Sequence, residues 1–208
     1  RKALYLEEGR KYYSGNLYVP DDLEQLKLDE GEKIQLRDGR EVVLREAEPE
    51  DAESMIAYLR QTAAETHFMV RLPEEVDFTL EEEERILRNI WKSDKDLMLA
   101  AFDGDRVVGN VGVHIFHDRT KARHRSSLGF VFIQEYCSSG LGTILMERGI
   151  DFAKKAGFEQ LELGVFADND RALRLYKKMG FEEIGRIPRA FRLPDGSYID
   201  EITMVKML

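Results

Sequence analysis

The feature that most restricts the fold is a strand–loop–helix–strand series between residues 128 and 166. An apolar and aromatic run, residues 128–133, enters the small polar loop Ser138-Ser139-Gly140-Leu141-Gly142, and Thr143 opens a helical pattern. Ile144, Leu145, Ile150, Phe152 and Ala153 form its inward stripe, and Ala156-Gly157 end it. A second apolar run, residues 161–166, follows. Two strands joined through a helix run parallel with a right-handed crossover, so the chain needs a sheet holding at least one parallel pair. The loop is also an anion site, because the first N–H groups of a helix lack intrahelical partners and glycines let an oxygen approach them.

The remaining strands predict antiparallel neighbours. Residues 34–37 and 41–44 alternate around Asp38-Gly39, and residues 97–102 and 107–116 flank Asp103-Gly104-Asp105. Residues 181–191 and 198–207 form a last hairpin through Pro194-Asp195-Gly196-Ser197. Glu48-Pro49-Glu50-Asp51 starts a helix with the stripe Met55, Ile56 and Leu59. A second helix spans 79–92, capped by Thr79 with Glu82 and burying Ile86, Leu87, Ile90 and Trp91. Its glutamates 81–84 complement the helix dipole and face water, a cation site being the other reading. Asn169 caps a helix over 170–179, closed by Gly180. The expected class is α/β (α+β): a mixed, mostly antiparallel sheet with one parallel pair, flanked by helices. Residues 1–32 read as an extension, with a hairpin about Ser14-Gly15-Asn16 and a short helix after Pro20, acting as a packing appendage, a lid or a dimer arm. Residues 33–208 form the domain proper.

Composition and spacing narrow the function. A net charge of −9 disfavours a nucleic-acid surface. The basic residues Arg119, Lys121, Arg123 and Arg125 read as a solvated hairpin tip, or as a contact for an anionic partner or a cofactor's outer phosphate. One cysteine, Cys137, excludes an internal disulfide, and with four histidines it leaves no thiolate-rich zinc site, so no metal and a reducing cytoplasm are expected. No apolar run reaches the ~18 residues that span a bilayer, and the N-terminal residues turn acidic too soon for a signal peptide. In the loop, Gly142 is followed by Thr143-Ile144 with no lysine, and Gly140 and Gly142 are followed by Leu145. Neither the P-loop nor the dinucleotide pattern fits.

Over residues 34–208 the order of elements resembles the GNAT N-acetyltransferase superfamily. Its signature Q/R-x-x-G-x-G/A falls on Cys137-Ser138-Ser139-Gly140-Leu141-Gly142, departing at Cys137, and N-x-x-A-x-x-L-Y-x-x-x-G-F matches at Asn169, Ala172, Leu175, Tyr176, Gly180 and Phe181. The resemblance implies a sheet splayed at its parallel pair, with acetyl-coenzyme A (acetyl-CoA) as cosubstrate in the opening. Its pyrophosphate would rest on Ser138, Ser139, Gly140, Leu141, Gly142 and Thr143, and its pantetheine arm along Phe132, Ile133 and Gln134. Asn169 would reach the cofactor or only cap its helix, with Ala172 beside it. Tyr176 would be the acid for the departing thiolate, and a backbone N–H of the Phe132 strand the oxyanion donor.

The implied acceptor is a primary amine: a polyamine, amino sugar, amino acid or protein N-terminus. Glu135, His114, His117 and Glu162 are the base candidates. His67, Phe68, Arg71, Arg189, Arg192 and Tyr198, in the segments that set the acceptor, form no recognisable constellation. Cys137 reads as a structural thiol rather than a covalent nucleophile. A non-catalytic coenzyme A-binding protein of the same fold is the alternative, and a homodimer through the C-terminal strands or the 1–32 arm is compatible with the sequence.

Overall fold

The computed structural model describes residues 31–208, and the expectations for residues 1–30 lie outside them. Eight strands, β1 (Glu32–Gln35), β2 (Glu41–Glu46), β3 (Leu97–Asp103), β4 (Arg106–Ile115), β5 (Arg125–Phe132), β6 (Gln160–Phe166), β7 (Glu182–Arg192) and β8 (Tyr198–Met207), form one sheet in the order β1-β2-β3-β4-β5-β6-β8-β7. Among the described residues four α-helices flank it: α1 (Ala52–Glu65), α2 (Leu80–Lys92), α3 (Leu141–Lys155) and α4 (Asp170–Lys178). All neighbours are antiparallel except β5 and β6, the pair joined through α3. No helix among the described residues is long and apolar enough to cross a membrane.

Local signals explain most of these elements. The Asp38-Gly39 turn closes with Leu36 N–H on Arg40 O at 2.7 Å and Gly39 in the left-handed region at φ 89°. The turn at Pro49–Asp51 is 3-10 before α1 takes over. α2 has the full capping box: Thr79 Oγ1 accepts from Glu82 N–H at 3.2 Å, and Glu82 Oε2 from Thr79 N–H at 3.0 Å.

Two burial expectations are corrected. On α2, Glu83 is buried beside Leu87 while Ile86 is 38% exposed, because the helix turns its Glu83–Leu87 row toward α1, the Pro49–Asp51 turn and β3. Desolvation raises the Glu83 carboxyl above its ordinary pKa. On α3, Met146 and Gly149 join Leu145, Ile150, Phe152 and Ala153 in the core, whereas Ile144 is half-buried.

The parallel pair positions the site. β5 and β6 pair only at Arg125, Ser126 and Ser127 against Gln160, Leu161 and Glu162. β5 remains on β4 as far as Phe132, while β6 follows β8 as far as Phe166. The sheet therefore opens into a V whose edges are the second half of each strand.

Candidate active site

A cleft of about 960 Å³ fills this V. Ile133 N–H donates to Val108 O at 3.0 Å, and Val131 pairs with Asn110, so the odd-numbered residues of β5 bond to β4. The backbone N–H and C=O groups of Leu128, Phe130 and Phe132 then point to the side β6 has left. An edge of this kind accepts an extended chain as an added strand.

At one end of the cleft the chain turns from β5 into α3. Sequence reasoning expected a plain loop there, but Gln134–Tyr136 is a 3-10 turn. It is anchored by the buried Tyr136, whose hydroxyl donates to Asp103 Oδ2 at 2.5 Å under the Arg40 guanidinium, and burial pushes that phenol up to about 12. Ser138 and Gly140 then both adopt positive φ, 67° and 95°. Such an alternation turns successive N–H groups to one side, a concavity of the kind that suits an anion. Among the described residues, the N–H groups of Ser138, Gly140 and Gly142 donate to no acceptor. These three residues line the cleft with Cys137 and Thr143. Gly142 is required sterically, since a Cβ there would lie 2.9 Å from the Phe132 ring.

The other expected loop residues are used within the protein. Ser139 is buried, its hydroxyl donating to Tyr136 O at 2.7 Å and accepting from Leu141 N–H at 3.3 Å. Leu141 and Ile133 are buried and do not line the cleft. Gln134 lines it, but its N–H donates to Glu65 Oε2 at 2.6 Å. Two cations that the sequence did not single out flank the loop. Arg171 donates to Ser138 Oγ at 3.0 Å, and the Arg37 side chain lies against Gly140 while its N–H bonds Ser139 O at 3.0 Å. They bring positive charge to the loop, whose first signature position holds Cys137.

Tyr176, on α4, is 7% exposed, edge-on to Phe130 with centroids 5.7 Å apart and tilted against Phe181 at 5.9 Å. Its hydroxyl has no protein partner among the described residues, and none of their fully buried side-chain polar atoms is left unpartnered, so the hydroxyl opens to the cleft it lines. Burial alone raises its pKa well above the ordinary phenol value, keeping the group a donor at neutral pH. Asn169 Oδ1 caps α4 by accepting from Ala172 N–H at 3.1 Å, and both residues line the cleft.

The four base candidates lie elsewhere. Glu162 is held by Arg125, with Nη2 on Oε2 at 2.7 Å. Glu135 pairs with Arg40 and Arg106. His114 bonds Asp96 at 3.2 Å, and His117 packs edge-on against the exposed Phe116. The carboxylates that do line the cleft are Glu65 and Glu201. No sequence signal marks Glu201, whose orientation depends on the β6–β8 register. Among the described residues no group of His, Cys, Asp or Glu is placed to hold a metal ion.

Residues 46–181 match the model of the acetyltransferase (GNAT) family. The L-amino acid N-acetyltransferase AaaT of Escherichia coli is 30% identical over 111 residues, 53% of this chain and 67% of that protein. The probable N-acetyltransferase san of Drosophila melanogaster is 36% identical over 91 residues, covering 42% of this chain and 47% of that protein. A GNAT-family acetyltransferase from Streptococcus pneumoniae superposes with a TM-score of 0.77 at 33% identity, covering 80% of this chain and 99% of that one. The fold is shared with yncA of Salmonella typhimurium, a putative acetyltransferase solved with acetyl-CoA, at a TM-score of 0.70 and 17% identity over 80% and 94% of the two chains.

Proposed function

The chain belongs to the GNAT acetyltransferase family, and from that premise we propose that it moves the acetyl group of acetyl-CoA to a primary amine by direct attack on the thioester. The observation that carries the reading is the opening of β5 from β6. It leaves the Phe130 and Phe132 backbone free between the Ser138, Gly140 and Gly142 N–H groups and the Tyr176 hydroxyl. The pyrophosphate would lie on those N–H groups, with Arg37 and Arg171 beside it. The pantetheine arm would run along Phe130 and Phe132, and binding in the Gln134 region requires Glu65 to release its N–H. A free N–H on this edge would receive the oxyanion. Tyr176, neutral and open to the cleft, would give its proton to the departing thiolate. Cys137 has no role in bond making, because a direct attack forms no enzyme-bound acyl group.

The test is thermal unfolding with and without acetyl-CoA, followed by thiol release over an amine panel. Acetyl-CoA at 100 times its Kd should stabilise the fold by about 2.7 kcal/mol. Amine-dependent thiol release is the expected second result. Stabilisation with no release from any amine would replace this reading with a coenzyme A-binding protein, and no stabilisation would remove both.

A further inference from the structure

We infer that Glu201 receives the acceptor ammonium and takes its proton, and that the acceptor is an arylalkylamine: an amine on an apolar, planar body, with no carboxylate beside the nitrogen. This rests on the acetyl-transfer reading above.

Of the two carboxylates lining the cleft, Glu65 is committed. One oxygen accepts from Gln134 N–H and the other from Gln61 Nε2, both at 2.6 Å. Glu201 has no hydrogen-bond or ion-pair partner among the described residues. It stands opposite Phe166 in the β6–β8 register, on the same sheet face, and reaches across to Gly164. A Cβ on Gly164 would coincide with the Glu201 carboxylate, so the missing side chain on β6 makes the room that β8 fills with a charge. A half-buried carboxylate without a partner costs solvation, which a bound ammonium restores.

The surroundings give the rest of the acceptor. Phe166 stacks on Phe191 with centroids 3.8 Å apart and planes at 7°, and Phe68 meets Phe166 edge-on at 6.0 Å. All three rings line the cleft and present apolar faces that suit an aromatic body and an adjacent cation. The lining cations, Arg37 and Arg171, stand at the phosphate loop, so among the described residues nothing lining this end would pair with an α-carboxylate. A free α-amino acid would set its carboxylate against Glu201.

In the reaction the ammonium gives one proton to Glu201, which passes it to solvent. The freed lone pair forms the C–N bond and the C–S bond breaks. The thiolate takes the Tyr176 proton, and the second nitrogen proton restores the phenol through solvent.

The experiment compares 2-phenylethylamine with phenylalanine, which differ by the carboxylate, in the thiol-release assay with wild type and Glu201→Gln, alongside stabilisation by acetyl-CoA. The expected results are a kcat/KM at least ~50-fold higher for the amine, and a ~100-fold or greater loss of it in Glu201→Gln with stabilisation by acetyl-CoA unchanged. As a rescue, Gly164→Glu combined with Glu201→Gly carries the carboxylate into the same space from β6 and should recover at least ~10-fold. Phenylalanine turned over as well as the amine, or Glu201→Gln at wild-type kcat/KM, overturns the inference and leaves acetyl transfer standing. Thiol release from other amines but from neither of these two also overturns it. Failure of acetyl-CoA to stabilise the protein removes the underlying reading itself.

Discussion

Replacing Tyr176 by Phe is the sharpest perturbation, because the structure separates its chemical cost from its structural one. The ring is fixed by Phe130 and Phe181, contacts that phenylalanine keeps. Among the described residues the hydroxyl bonds no protein group, so its removal orphans none of their buried donors or acceptors. Stability should change by less than ~0.5 kcal/mol, a shift in Tm of roughly 2 °C or less. Catalysis should fall by ~100- to 1,000-fold in kcat, the lower part of the range for a positioned general acid, or about 2.7–4.1 kcal/mol at 1.36 kcal/mol per decade. The loss should sit in kcat, because in the proposed reaction the phenol serves the leaving thiolate rather than ground-state binding. The assay is steady-state thiol release over a series of acetyl-CoA concentrations, with thermal unfolding as the control. Since burial raises the Tyr176 pKa, wild type should show no alkaline loss of kcat from this group up to pH 10. A variant that keeps more than a third of wild-type kcat, or whose defect is confined to the acetyl-CoA KM, would refute the leaving-group role.

Three further outcomes are expected. Cys137→Ser should retain turnover within ~3-fold, and a loss beyond ~100-fold would sink direct transfer in favour of a covalent thiol route. Arg171→Ala should weaken acetyl-CoA binding by roughly 5-fold at low salt, with the effect shrinking at high salt as screening removes an exposed charge; calorimetry at two ionic strengths reads this. Leu145→Ala should lower unfolding stability by about 2–5 kcal/mol in a urea titration, since Leu145 is fully buried where α3 meets β4.

Much of the fold was legible because its signals are local. Asp-Gly turns, the Thr79–Glu82 box, the Asn169 cap and the glycines closing helices fix element ends within a few residues of themselves. The parallel pair was legible too, since a helix between two strands leaves little choice of direction. Burial at Glu83 and Ile86 was not, because both lie on one amphipathic helix and only its rotation against α1, the Pro49–Asp51 turn and β3 selects the row that goes inside.

The site divides along the same line. By itself the sequence determined the glycine turn before α3, Tyr176 on the last helix and the cap at Asn169, all carried within one continuous stretch. Tertiary structure alone decided which N–H groups of that turn stay free, that Arg37 arrives from the first hairpin and Arg171 from α4, and that Glu201 rather than Glu162 faces the cleft. The physical reason is register. Glu162 and Glu201 share a sheet face, but Glu162 sits where β5 and β6 still pair while Glu201 stands opposite Phe166 beyond the opening, so which carboxylate enters the cleft depends on how β8 is set against β6, a relation that no local pattern in either strand encodes.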